Sequence, residues 1–167
     1  MQKQSVWIKF LTWLFHRATS VPSSQSNISP APVSNPPYTV SFPYAYDESG
    51  TPAATPILDV LDANNDFQPY TFELDSGAYI SVLPASAGLA LGVPINQGTP
   101  LVLSGISGNI QTYVHQLSVR FHGSATVFPL EVAIASVECP ILLGRYGFWN
   151  SLHSILLNMG QKQVSFS

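Results

Sequence analysis

Phe72-Glu73-Leu74-Asp75-Ser76-Gly77-Ala78-Tyr79-Ile80-Ser81-Val82-Leu83-Pro84 is the most informative stretch of the chain. A β-type run feeds an acid, a small hydroxyl residue, a glycine and an alanine, and a second apolar run follows at once. Asp, Ser and Gly are among the commonest turn formers, so Asp75-Ser76-Gly77 taken alone reads as a turn between two strands. Its surroundings decide what else it is.

On both sides the sequence consists of short β-type runs cut by turn residues. Strands are predicted over 39–46, 57–61, 70–74, 80–83, 101–103, 110–121, 126–135, 141–143, 155–158 and 163–166. Many short strands with frequent Gly and Pro breaks predict an all-β barrel or sandwich. One helix is predicted inside this region, over 84–91, with proline in its first turn and Gly92 as its stop. No internal repeat of the solenoid type is visible.

The chain has 167 residues, a length for one domain with appendages. Charged residues are 9% of it, against about 25% in an average globular protein, so its surface is covered by Ser, Thr, Asn, Gln and backbone. Six Lys and Arg and a net charge of −3 lack the basic footprint of a nucleic-acid binder, which argues against a DNA or RNA partner. The single cysteine, Cys139, cannot form an internal disulfide. It precedes Pro140 in an apolar context and reads as inert. No Cys/His array has zinc spacing, and His16, His115, His122 and His153 do not cluster, so neither a metal nor another cofactor is expected.

Charge is unevenly divided. Residues 1–37 carry Lys3, Lys9 and Arg17 and no acid, whereas 38–167 carry three cations against nine acids. Within 5–15, Trp7, Phe10, Leu11 and Leu14 fall at i, i+3, i+4 and i+7, the pattern of an amphipathic helix. Lys9 interrupts the run, which is well short of the roughly 20 apolar residues that span a bilayer. Trp and Phe beside cations suit the headgroup boundary, so 1–17 reads as an interfacial anchor. Residues 18–37, rich in Ser, Pro, Asn and Gln, bury too little apolar surface to order themselves and read as a disordered linker. The domain proper is expected over 38–167. The anchor and the low charge content together suggest a membrane surface, with that domain outside the cytoplasm.

Two further strings complete the reading. Leu103-Ser104-Gly105-Ile106-Ser107-Gly108-Asn109 lies between β-type segments and predicts a glycine-rich hairpin tip. Cys139-Pro140-Ile141-Leu142-Leu143-Gly144-Arg145 is an apolar run ending in Gly-Arg. In order and spacing the three strings resemble the retropepsin-like aspartic proteases, over roughly 55–160. That family's Asp-Thr/Ser-Gly-Ala loop matches Asp75 to Ala78, its flap tip matches Gly105 to Gly108, and its apolar-apolar-Gly-Arg motif matches Leu142 to Arg145.

The resemblance implies a closed retropepsin-like β-barrel with one short helix, and an aspartic endopeptidase. Asp75, Ser76 and Gly77 would be its catalytic loop. Ala78, Tyr79, Gly105, Ile106, Ser107 and Gly108 would line the peptide site, and Gly144 and Arg145 would be structural. The chemistry explains the residue types. Metal-free hydrolysis through water needs one carboxylate to take a proton and one carboxylic acid to polarise the carbonyl. Two neighbouring carboxyl groups hold one proton between them because like charges resist double ionisation. This chain has one such loop, so the resemblance implies a homodimer with one Asp75 from each copy.

Two departures stand out. The retroviral pattern has an acid after the alanine, able to pair with the arginine of Gly-Arg, but Tyr79 occupies that place, leaving Arg145 to find another partner. The segment after Arg145 lacks the usual Asp or Asn. Serine-hydrolase chemistry does not fit, because Gly105-Ile106-Ser107-Gly108 is followed by Asn109 and not by the glycine required. The competing readings are a noncatalytic dimerisation or binding module of the same fold, tethered to a membrane surface, and a structural membrane-tethered protein. The intact Asp75-Ser76-Gly77-Ala78 argues against the first, because a decayed site has no chemical reason to keep an acid and a glycine there.

Overall fold

The computed structural model describes residues 40–46, 48–105, 108–149, 152 and 154–167. The expected anchor and linker over 1–37, and Ile106 and Ser107 of the hairpin tip, lie outside the described residues.

Twelve strands, one short α-helix and a 3-10 turn over Ile95–Gln97 make up the regular structure of the described residues. The spine is β8 (Gly108–Phe121), whose first half pairs antiparallel with β7 (Thr99–Gly105). Its second half pairs with β9 (Val127–Ala135) and with β3 (Ile57–Leu61), to which β4 (Phe67–Thr71) adds an edge. On the far side of β9 come β6 (Ser81–Leu83), β10 (Leu142–Leu143) and β5 (Glu73–Leu74). A second sheet has the order β11 (Ile155–Asn158), β12 (Gln163–Phe166), β1 (Val40–Tyr46), β2 (Pro52–Ala54). Both sheets curl as half-barrels around one core.

The strand predictions over 57–61, 155–158 and 163–166 coincide with observed strands. The predicted strand over 70–74 is divided at Phe72, where the chain changes partners. β4 runs antiparallel to β3, while β5 runs parallel to β10. β7 is longer than predicted and takes Pro100 into an edge strand, where the missing N–H breaks no ladder. Pro69 has the same status on β4. Helix α1 (Ala85–Ala90) starts at Pro84 and ends as predicted, with Gly92 at φ +70 just past its last turn. Glu138 accepts from the Ser86 N–H at 3.0 Å and from its hydroxyl at 2.8 Å, tying the first turn of α1 to the loop after β9.

An aromatic cluster joins the two sheets. Phe166 of β12 stacks on Phe121 of β8 with centroids 4.9 Å apart, and Phe148 meets both edge-on at 5.9 and 6.1 Å. Such pairs each add about 0.5–1.5 kcal/mol beyond area burial. Phe148 is fully buried and lies three residues after Arg145, so the core itself anchors the chain that carries the Gly-Arg motif.

Candidate active site

Asp75 closes β5 and opens a tight loop. Its Oδ1 accepts the Gly77 N–H at 2.7 Å, and its carbonyl accepts the Ala78 N–H at 3.2 Å. This is turn chemistry local to Asp-Ser-Gly-Ala, in which the acid's own side chain stands in for a backbone acceptor. The second carboxylate oxygen accepts no hydrogen bond from the described residues. Asp75 is half-buried, whereas Ser76 is exposed and its hydroxyl has no partner among the described residues.

The loop is held from both sides by one segment of chain. Residues 141–146 run between 73–75 and 78–82. On one flank Glu73 N–H donates to Ile141 O at 2.9 Å and Asp75 N–H to Leu143 O at 3.1 Å. On the other, Arg145 N–H donates to Ala78 O at 3.1 Å and Tyr146 N–H to Tyr79 O at 2.7 Å. Both ends of the loop are therefore pinned to the same strand, and the backbone around the carboxylate has little freedom to rearrange.

This threading demands a glycine at 144. A Cβ there would lie 2.4 Å from the carbonyl carbon and oxygen of Ile80 and 2.8 Å from Ser81 N. Gly144 N–H donates to Ser81 Oγ at 3.1 Å. Ser81 is fully buried, and its hydroxyl satisfies a backbone donor that close packing leaves with no ladder partner. The sequence pattern marked Ser81 as one more strand residue. Its signal was a hydroxyl in an otherwise apolar run, which needs a partner when buried.

The ion pair of the retroviral pattern is replaced by an aromatic contact. Tyr79 stacks on Tyr146 with centroids 5.2 Å apart and ring planes 17° from parallel. Both rings are exposed, and the Arg145 side chain is exposed with no ion pair among the described residues. Among the described residues, the contact of Arg145 with the Asp75 loop is its backbone N–H on Ala78 O. The following residues form turns, with Trp149 N–H donating to Arg145 O at 3.1 Å and Gly147 at φ +81.

Gly105 and Gly108 face each other at the end of the β7–β8 hairpin. Gly108 has φ +112, and an added Cβ at either glycine meets nothing within 4 Å. Thr112 Oγ donates to Leu101 O at 2.7 Å and braces the hairpin below its tip. No hydrogen bond among the described residues joins this tip to the Asp75 loop.

Electrostatics near the loop come from a second acid. Glu73, two residues before Asp75, is held above the ordinary carboxylate range by burial and then by the Asp75 charge. Cys139 is half-buried, and burial followed by the Glu138 charge pushes its thiol up to about 11, which keeps it a neutral, poor nucleophile. His115 Nε2 lies 2.8 Å from Ile95 O, and His122 Nδ1 lies 2.7 Å from Asp59 Oδ1. Among the described residues, no three His, Cys, Asp or Glu side chains gather as a metal site.

The architecture is that of the retropepsin-like aspartic proteases. The crystal structure of a retropepsin-like aspartic protease from Rickettsia conorii superposes with a TM-score of 0.55 at 15% identity, covering 76% of this chain and 98% of that one. EIAV protease, complexed with an inhibitor, matches with a TM-score of 0.48 at 21% identity, over 68% of this chain and 99% of its own. The chain belongs to the aspartyl protease family, whose model matches residues 61–146. No curated protein is significantly similar to it. The family match takes in the Asp75 loop, the β7–β8 hairpin and the Gly144-Arg145 segment.

Proposed function

We propose that two copies of the chain assemble about a twofold axis with their Asp75 loops face to face, and that the paired carboxylates hydrolyse peptide bonds. The observation that carries this reading is the loop itself. A half-buried Asp75 sits on a turn whose two flanks are hydrogen-bonded into a single strand, in a chain of the aspartyl protease family. One such loop per chain supplies one carboxylate, and a water-activating dyad needs two.

In the dyad the charged Asp75 takes a proton from water as the water oxygen attacks the peptide carbonyl carbon. The protonated Asp75 donates to the carbonyl oxygen, so no net charge builds up in the tetrahedral intermediate. Collapse breaks the C–N bond as the leaving nitrogen takes up the proton removed from water and the now charged second Asp75 takes back a hydroxyl proton from the intermediate, which releases a carboxylic acid and restores the singly protonated pair. Because the pair shares one proton, its titration belongs to the pair. Gly77 has no side chain to obstruct the substrate, and the free Ser76 hydroxyl is available to hydrogen-bond across the axis. Ala78 and Tyr79 flank the bound peptide on the loop side. The hairpin tip from Gly105 through Ile106 and Ser107 to Gly108 closes over an extended peptide, offering main-chain groups in the manner of an added strand. Gly144 and Arg145 keep the loop in place from below.

The test is cleavage of an unstructured peptide library between mildly acid and neutral pH, alongside sedimentation of the same samples. Specific activity is expected to rise with protein concentration as dimer forms, and Asp75→Asn to lower kcat by at least about a thousandfold, the scale of losing a general acid–base. Equal turnover by parent and variant, or none by either at concentrations where the dimer is populated, removes the proteolytic reading.

A further inference from the structure

The strand that delivers Asp75 also delivers a second carboxylate to the same side. The bonds from Glu73 N–H to Ile141 O and from Asp75 N–H to Leu143 O are alternate rungs of one parallel ladder. The pleat therefore continues through Asp75, and side chains 73 and 75 leave the same face. The opposite face is occupied, since Phe72 is fully buried and Leu74 packs against the core. Two strand residues span about 7 Å, which sets Glu73 beside the reacting position and not remote from it.

Glu73 is half-buried, yet its carboxylate has no hydrogen bond and no ion pair among the described residues. The three described cations lie elsewhere. Arg120 bonds Asp59, Lys162 lies over the Tyr46 ring, and Arg145 is exposed without an ion pair. A carboxylate partly withdrawn from water and beside a second acid is disfavoured when charged, and the direction of its shift agrees. Among the described residues nothing offsets that cost. A cation brought by a ligand does.

We infer that Glu73 determines specificity, selecting a lysine or arginine side chain within about two residues of the bond held at Asp75 and rejecting an acidic one there. The inference rests on the proteolytic reading for its substrate, and on the shared face of Glu73 and Asp75 for its site. An extended peptide laid along this face presents alternate side chains to it, so one position is favoured over its neighbours.

The experiment uses the full chain and peptides that differ only in carrying Lys, norleucine or Glu at each position around the cleaved bond. At one position kcat/KM is expected to fall in the order Lys, norleucine, Glu, with about tenfold between the first two, as for a partly desolvated charge pair. Glu73→Gln brings the Lys-to-norleucine ratio close to one, and Glu73→Lys reverses the order between Lys and Glu peptides. Ratios taken at one pH cancel the titration of the dyad. Fluorescence anisotropy of the labelled Lys and norleucine peptides on Asp75→Asn protein, with and without Glu73→Gln, reads recognition without turnover. A flat ratio in the parent, or a ratio that Glu73→Gln leaves unchanged, overturns the role of Glu73 even if peptides are cut. Cation-selective binding that depends on Glu73 in a protein that never cuts peptides removes the proteolytic reading and retains Glu73 as a selector.

Discussion

Gly144→Ala tests whether the threaded segment holds the Asp75 loop. The new methyl would lie 2.4 Å from the Ile80 carbonyl carbon and oxygen. Carbon atoms settle at about 3.5–4.0 Å, so relief requires a shift of roughly 1 Å or more. Neither neighbour is free to move. Ile80 is bridged to Tyr146, and Ser81 is paired with Val132 of β9. Separating the segments breaks the bond from Gly144 N–H to Ser81 Oγ, leaving a buried donor and a buried hydroxyl unpaired. Overpacking costs about 1–3 kcal/mol and an unsatisfied buried group about 1–3 kcal/mol, so a loss of about 4 kcal/mol is expected. That is a large part of the about 5–15 kcal/mol that holds a domain folded, and corresponds to a Tm lower by roughly 15 °C. Calorimetry and urea unfolding measure it. Gly160→Ala is the matched control, because its Cβ meets only Asn158 Oδ1, at 3.5 Å. If the two variants melt within about 2 °C of each other, the threading argument is wrong.

Ser81→Ala removes the acceptor for Gly144 N–H without adding bulk and is expected to cost about 1–3 kcal/mol in urea unfolding. The acid limb of stability is expected to depend on Asp59, which is 4% exposed and receives Arg120 Nε at 3.0 Å and His122 Nδ1 at 2.7 Å. Burial alone would raise its carboxyl, but hydrogen bonds from His122 and Arg120, and their charges, hold it below its ordinary 3.8. A carboxyl lowered by folding contributes stability that is present above its unfolded value and is lost as pH falls through the folded one. Asp59→Asn should therefore cost about 2 kcal/mol at neutral pH, less than a fully buried pair because both partner side chains retain solvent, and converge on the parent as pH falls below 3.8 through the lowered folded value. Urea midpoints that stay parallel along the whole acid limb, with no narrowing below 3.8, would refute this.

The site was legible in the sequence to the extent that it is local. Asp75-Ser76-Gly77-Ala78 bends through bonds between neighbouring residues, and those bonds depend on a short acceptor side chain and a glycine, both visible as letters. The hairpin that brings Gly105 opposite Gly108 is equally local. Partners brought from a distance were not legible. Tyr79 marked only a missing acid, and that it stacks on Tyr146 depends on two segments meeting in parallel across Ile80 and Tyr146. The division of 70–74 at Phe72 was hidden for the same reason, since either half alone has strand composition and only the choice of partner separates them.

Alternation of side chains, turn residues and a low charge content determined a β-rich chain with one acid-bearing loop, because these properties act over a few residues and need no distant partner. Tertiary structure decided that 141–146 passes between the two arms of that loop, that Gly144 and Ser81 make the passage possible, and that Glu73 shares the side of Asp75. Those outcomes depend on hydrogen bonds and backbone contacts between residues more than sixty positions apart, and no local pattern records them.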